Sequence, residues 1–82
     1  MIRLDVYVID GCWSCEESVR IASEMQAQYP EVAVAVINAG IEEVPQEVFA
    51  TPTWMLDGRV ISLGNPTREN LHEKLNRIRA KA

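Results

Sequence analysis

The chain has 82 residues, of which 48% are hydrophobic and 24% are charged, and its formal net charge is −4. This composition is typical of one globular domain and excludes a disordered chain, while the acidic balance argues against a nucleic-acid-binding surface. The longest apolar run, residues 32–37, is too short to cross a membrane. We therefore predict a single domain over residues 1–82, monomeric, with neither a membrane nor a nucleic acid as partner.

The compartment is predicted from the start of the chain and from the two cysteines. Arg3 and Asp5 interrupt the first apolar residues, so a secretory leader is not recognised. The sequence thus predicts a cytoplasmic protein, although a mature secreted protein without its leader would look the same. In a reducing compartment, a lone pair of cysteines three residues apart is more often catalytic or metal-binding than a structural crosslink.

The first half of the chain predicts a strand, a helix and a second strand. Apolar residues alternate over residues 2–9, which predicts a strand. Residues 13–29 have the apolar spacing of an amphipathic helix, and Pro30 ends it. The unbroken apolar run 32–37 predicts a strand that is buried on both faces and joined to the first by a right-handed crossover.

The second half predicts a hairpin and a last helix. Residues 38–40 are predicted as a loop, and 41–49 as a short helix that Pro45 shortens. The dipeptide Asp57-Gly58 favours a type I′ turn between strands 53–56 and 59–63. Residues 64–67 then supply a turn, an N-cap candidate and a proline suited to the first helical position. Leu71, Leu75 and Ile78 form the apolar stripe of the last helix.

Both cysteines, Cys12 and Cys15, lie where the first strand stops and the first helix starts. At this spacing on a first helical turn the two Cβ atoms are about 5–6 Å apart, so a reversible disulfide is sterically available. Unpaired backbone amides and the helix dipole favour a thiolate at Cys12. We interpret the pair as a redox centre, and the alternative is that both are small core residues.

A metal site receives less support from the sequence. Zinc requires four ligands, whereas the chain has two cysteines and one histidine, His72, which we interpret as a surface residue on the last helix. We therefore predict no cofactor. One alternative remains, an iron–sulfur cluster shared between two subunits.

Two motifs together carry a family resemblance, namely Cys12-Trp13-Ser14-Cys15 after a strand and Ala50-Thr51-Pro52-Thr53 before the hairpin. With them the whole chain resembles the thioredoxin-like superfamily. The resemblance implies an α/β minimal thioredoxin fold, β-α-β-(short α)-β-β-α, with a four-stranded mixed sheet and helices on both faces. It also implies that Pro52 is a cis-proline facing the disulfide.

Within that superfamily the sequence combines features of two groups. Starting directly on the strand before the cysteines is similar to glutaredoxins, whereas the Thr-Pro-Thr segment is more like thioredoxins. Glutaredoxins usually hold glutathione with a Gly-Gly pair where this chain has Gly64-Asn65, so glutathione binding is not predicted. The buried aspartate of thioredoxins corresponds to Val6 here, and the neighbouring Asp5 points to the other sheet face.

The function implied by the resemblance is thiol–disulfide exchange with disulfide-containing proteins, sustained by a flavin-dependent reductase. Cys12 would attack and Cys15 would resolve the mixed disulfide. Substrate would be bound by Ser14, by the backbone of Thr51 ahead of Pro52, and by Trp13, which is either a lid over the sulfurs or a packing residue. The alternative is a binding module, or an iron–sulfur cluster holder, whose cysteines do not cycle.

The direction of electron flow is predicted from the charges beside the pair. Asp10, Glu16 and Glu17 are all negative, and negative charge opposes a thiolate at Cys12. We therefore predict a reductant or a mild shuttle, and we expect Gln at both glutamates to lower the pKa of Cys12.

Overall fold

The computed structural model describes residues 1–81 and contains four strands and two helices in that range. In chain order they are β1 (Arg3–Val8), α1 (Trp13–Gln28), β2 (Ala33–Asn38), β3 (Thr53–Leu56), β4 (Arg59–Leu63) and α2 (Arg68–Lys81). The sheet order is β2-β1-β3-β4, and β1 pairs parallel with β2 and antiparallel with β3. The predicted α/β class and four-stranded mixed sheet are confirmed.

One face of the sheet carries the core, as the alternation in β1 predicts. Leu4 and Val6 are fully buried and pair across the sheet with Leu56 and Trp54. Side chains of both helices complete this cluster: Ile21, Ala22 and Met25 of α1, and Leu71 and Leu75 of α2. Because alternate residues of a strand share a face, both helices must lie on the same side of the sheet.

The prediction of helices on both faces is therefore wrong for residues 1–81. The opposite face presents Asp5, Tyr7 and Met55, which are buried although neither helix covers them. Asp5 does point to this face, as predicted, and its carboxylate contacts the Arg3 guanidinium at 3.1 Å. Val6 lies in the core on the helical side, so no aspartate stands beneath the cysteines on β1.

The predicted short helix over residues 41–49 is absent, and the segment consists of turns and irregular chain. Pro45 has no amide hydrogen, and its ring opposes a helical conformation at the preceding residues. Two short-range contacts organise the segment: the Glu42 amide donates to the Asn38 carbonyl at 3.1 Å, and the Val48 amide donates to the Pro45 carbonyl at 2.9 Å. The segment therefore joins β2 to β3 without regular secondary structure.

Strand β2 is an edge strand, so the prediction that it is buried on both faces is wrong. It pairs with β1 alone, and its residues are at most partly buried, with Val36 44% exposed. Gln26 of α1 ties its start to the helix, since the side-chain amide donates to the Val32 carbonyl at 2.7 Å and accepts from the Val34 amide at 3.2 Å.

The predicted type I′ turn at Asp57-Gly58 is confirmed. Asp57 and Gly58 have φ values of 48° and 84°, the positive values that a type I′ turn requires. Helix α2 begins at Arg68, and the Thr67 hydroxyl accepts from the Asn70 amide at 3.1 Å, so Thr67 caps it. Pro66 thus lies ahead of the helix and not at its first position. Neither helix of residues 1–81 has the length and apolar character to cross a membrane.

Candidate redox site

The two cysteines meet at the first turn of α1, where they form a disulfide. Cys12 is the N-cap residue, with extended backbone, and its carbonyl accepts from the Cys15 amide at 3.0 Å. The Cα atoms are 5.2 Å apart, within the range that disulfides adopt. The expectation that this spacing allows a disulfide is confirmed, and the alternative of two separate core thiols is wrong.

The two sulfur-bearing residues differ in exposure. Cys15 is 4% exposed, whereas Cys12 is only half-buried and its sulfur lies 3.5 Å from the Ser14 hydroxyl oxygen. Cys12 is therefore the more accessible of the two residues, and Cys15, further along the first helical turn, is shielded. This asymmetry suits exchange through a mixed disulfide, in which one sulfur attacks and the other resolves.

Asn65, in the loop before α2, fixes the turn that carries the cysteines. Its side-chain NH2 donates to the Ser14 carbonyl at 2.8 Å, and its carbonyl oxygen accepts from the Ser18 hydroxyl and from the Trp54 indole N–H at 3.2 Å. Ser18 and Trp54 are fully buried, so without Asn65 the Trp54 indole N–H would be an unpaired polar group, and the Ser18 hydroxyl would keep only the Ser14 carbonyl at 3.4 Å. One amide therefore joins α1, β3 and the loop that leads to α2.

Sequence reasoning missed Asn65, which was treated as part of a turn. The available signal was Ser18, a hydroxyl on the apolar side of α1 that needs a partner once buried. No buried side-chain nitrogen or oxygen in residues 1–81 lacks a hydrogen-bond partner. Which residue supplies the partner depends on long-range packing, since Asn65 is 47 positions from Ser18.

Sequence reasoning also missed the contact formed by His72, which it interpreted only as a surface residue. His72 is half-buried, and its Nδ1 lies 2.7 Å from the Tyr29 hydroxyl. This contact joins the end of α1 to α2, at a distance from the cysteines along the helix. Within residues 1–81, no three His, Cys, Asp or Glu side chains are grouped to hold a metal ion.

The negative charges at the start of α1 are unequal in their surroundings. Glu17 contacts the Arg68 guanidinium at 3.0 Å, and Glu24 contacts it at 2.8 Å, which ties α1 to α2. Hydrogen bonding to Arg68 lowers the pKa of both carboxyls. In residues 1–81, Asp10 and Glu16 form no ion pair. The charge of Glu17 is thus compensated, whereas those nearest the disulfide are not.

A concave surface that encloses a volume of about 400 Å³ borders the disulfide, and its lining includes Ile9, Cys12 and Trp13. Trp13 is 86% exposed, so the interpretation of it as a packing residue of this domain is wrong. An indole left in solvent beside a reactive sulfur is available to a partner. Trp54, in contrast, is fully buried in the core.

The Thr51–Pro52 peptide bond is cis, as the resemblance implied. Pro52 is buried, and its carbonyl accepts from the Gly64 amide at 2.7 Å. Thr51 is half-buried and lines a second concave surface, of about 260 Å³, together with Ile9 and Phe49. Since Ile9 lines both surfaces, the structure places the cysteine turn and the Thr51 segment at the same end of the sheet.

Comparisons with known proteins agree with this architecture. No family model matches the sequence. A thioredoxin of Methanocaldococcus jannaschii is 27% identical over 81 residues, covering 93% of this chain and 94% of its own. The solved thioredoxin of Fasciola hepatica superposes with a TM-score of 0.75 at 20% identity, over 93% of this chain and 79% of that one. The chain is a thioredoxin-like protein.

Two further solved structures show the same fold at low identity. The germline-specific thioredoxin Deadhead of Drosophila melanogaster gives a TM-score of 0.73 at 16% identity, covering 93% of this chain and 79% of its own. Mitochondrial thioredoxin 3 of Saccharomyces cerevisiae, in its oxidised form, gives 0.69 at 21%, covering 92% and 76%. In this thioredoxin-like protein, the Cys12–Cys15 disulfide at the start of α1 supports thiol–disulfide oxidoreductase activity.

Proposed function

We propose that this thiol–disulfide oxidoreductase works by dithiol exchange on disulfide-containing protein substrates, with Cys12 as the attacking and Cys15 as the resolving thiol. The observation that carries the assignment is the difference in exposure between the two cysteines, since Cys12 is half-buried whereas Cys15 is only 4% exposed. Cys12 also occupies the N-cap, where unpaired amides and the helix dipole stabilise a thiolate.

The exchange proceeds in two displacements. In the reduced protein the Cys12 thiolate attacks one sulfur of the substrate disulfide, forms a mixed disulfide and releases the other substrate sulfur as a thiolate. The Cys15 thiol loses its proton to solvent and attacks the Cys12 sulfur, which releases the second substrate thiolate. Two electrons pass to the substrate, both substrate thiolates take up protons, and the protein ends with the Cys12–Cys15 disulfide.

Substrate binding involves the residues that flank the sulfurs. We assign to Trp13 an apolar contact over the bound segment, and to Ser14 the support of the Cys12 sulfur that its hydroxyl already contacts. Thr51, ahead of Pro52, would pair through its backbone with an extended substrate segment. Thr51 lies outside the helices and strands, and within residues 1–81 its backbone amide and carbonyl form no hydrogen bond with another backbone group. Both groups are therefore available to pair with a substrate strand.

Reduction of insulin by dithiothreitol tests this assignment. The wild-type protein is expected to accelerate the reaction, and Cys12→Ser is expected to abolish the acceleration. The matched variant Cys15→Ser should instead accumulate a mixed disulfide between Cys12 and the substrate, detected by mass under non-reducing conditions. Turnover that persists in Cys12→Ser, or a mixed disulfide that forms on Cys15, would overturn the assignment.

The remaining elements of the proposal concern the surroundings of the reaction. We assign regeneration of the dithiol to a flavin-dependent disulfide reductase and place the protein in the cytoplasm, acting as a monomer made of one domain over residues 1–82. Sedimentation of the reduced protein tests the monomer, and a dimer that binds an iron–sulfur cluster and lacks turnover would favour the alternative function.

A further inference from the structure

Charged residues are segregated along the length of the domain. The sequence has no Lys or Arg between Arg3 and Arg20, and none between Arg20 and Arg59. These two intervals include the whole redox end: the cysteine turn, the segment after β2 and the Thr51-Pro52 segment. Arg20 is itself paired with Glu17. Uncompensated charge at this end is therefore negative.

Five carboxylates at or near the redox end form no ion pair in residues 1–81: Asp10, Glu16, Glu42, Glu43 and Glu47. All five are exposed. The segment that carries the last three is joined to the end of β1, since the Ala39 amide donates to the Val8 carbonyl at 2.8 Å and the Asn38 side chain donates to Asp10 at 3.4 Å.

The unpaired cations lie at the opposite end of the domain, where Asp57 also lines the groove beside them. Arg59, Lys74 and Lys81 are the Lys and Arg side chains of residues 1–81 that form no ion pair. All three line a single groove of about 290 Å³. The groove lies beside the hairpin turn, where the Arg3 amide contacts Asp57, and thus at the start of β1 and not at its cysteine end.

The negatively charged redox end also exposes apolar side chains that a partner could contact. Large apolar side chains are exposed there, with Trp13 at 86%, Ile41 at 81% and Phe49 at 78%. Ile9, 44% exposed, lies between the two concave surfaces that flank the disulfide and Thr51. Exposed apolar surface beside a reactive group is typical of an interaction surface, and the surrounding carboxylates make this surface negatively charged.

We propose that this acidic, apolar surface selects polypeptide substrates that present an apolar side chain and Lys or Arg residues next to their disulfide. The inference rests on the proposed function and specifies its substrate class. Positive flanks would be attracted by the uncompensated carboxylates, which accelerates encounter, while acidic flanks would be repelled. The apolar contact with Trp13 and Phe49 would then hold the segment against Cys12.

Three synthetic peptides test the selection. Each carries the same disulfide and the same adjacent leucine, and they differ only in flanking Lys, Gln or Glu residues. The rate at which each oxidises the reduced protein is followed by tryptophan fluorescence. At low ionic strength we expect the Lys peptide to react about tenfold faster than the Glu peptide, with the Gln peptide between them. The difference should shrink to about twofold or less at about 1 M salt, where the screening length is about 3 Å.

Two sets of variants locate the effect. Glu42→Gln, Glu43→Gln and Glu47→Gln combined should reduce the ratio of Lys to Glu peptide rates. The matched set Glu31→Gln, Asp57→Asn and Glu73→Gln removes the same charge away from the cysteines and should leave the ratio unchanged. Equal rates for the three peptides at low salt would overturn the inference while leaving the oxidoreductase intact. No reaction with any peptide would contradict the proposed function itself.

Discussion

Replacing Asn65 by alanine is expected to destabilise the domain through groups that the asparagine satisfies. The Trp54 indole N–H loses its acceptor in a fully buried position, and such an orphaned group costs about 1–3 kcal/mol. The Ser18 hydroxyl is less affected, because it also lies 3.4 Å from the Ser14 carbonyl and can turn to it. The Ser14 carbonyl loses the Asn65 side-chain donor but keeps the Ser18 hydroxyl as a donor. We expect a total loss of about 2–3 kcal/mol.

The assay is unfolding of the oxidised protein by heat and by urea, followed by circular dichroism. For a domain of this size the predicted loss corresponds to a fall in Tm of about 10–20 °C. Asn70→Ala is the matched control, since Asn70 is exposed on α2 and bonds Thr67 through its backbone amide and not through its side chain. Its free energy of unfolding should change by about 0.5 kcal/mol or less.

A double-mutant cycle separates hydrogen bonding from lost packing. In a Trp54→Phe background there is no indole N–H to orphan, so Asn65→Ala should cost less than it does in the wild-type protein. An equal cost in both backgrounds, or a loss below about 0.5 kcal/mol for Asn65→Ala alone, would refute the reasoning.

Two further predictions concern the charges at the start of α1. Glu16→Gln should lower the pKa of the Cys12 thiol more than Glu17→Gln does, because Arg68 compensates Glu17. Ultraviolet titration of the thiolate in the reduced protein measures both, and equal shifts would argue against the compensation. Arg68 lowers the pKa of the Glu17 and Glu24 carboxyls from the ordinary 4.5. Their stabilisation is therefore present above pH 4.5 and lost as pH falls through the lower folded-state pKa values. In urea unfolding, Arg68→Met should thus lose less stability than the wild-type protein between about pH 6 and about pH 3, and parallel losses would contradict this.

Local patterns predicted the elements whose burial is settled by near neighbours in sequence. Alternation in β1, the Asp57-Gly58 turn and the apolar stripes of α1 and α2 each have one dominant period or one required backbone conformation. The cysteine pair belongs to this class, because a junction between a strand and a helix places both thiols on one turn. The resemblance carried by Pro52 added the cis peptide bond.

The predictions that were wrong concern features that depend on tertiary packing and not on local sequence. An apolar run such as 32–37 fits a central or an edge strand equally well, and only the sheet order shows that β2 lies at the edge. The segment 41–49, predicted as a short helix, contributes no side chain to the apolar cluster that would stabilise a helix, so Pro45 decides its conformation. Two partners of Asn65, Ser14 and Ser18, and Tyr29, the partner of His72, lie more than 40 positions away in sequence.

The irregular stretch 39–50 has a bearing on how proteins of this design diversify. None of its side chains belongs to the apolar cluster that both helices share. Exchanges there leave that cluster intact and change the surface beside Cys12. If this surface selects substrates as proposed above, variation in this stretch would change partner choice while the chemistry of the two sulfurs stays constant.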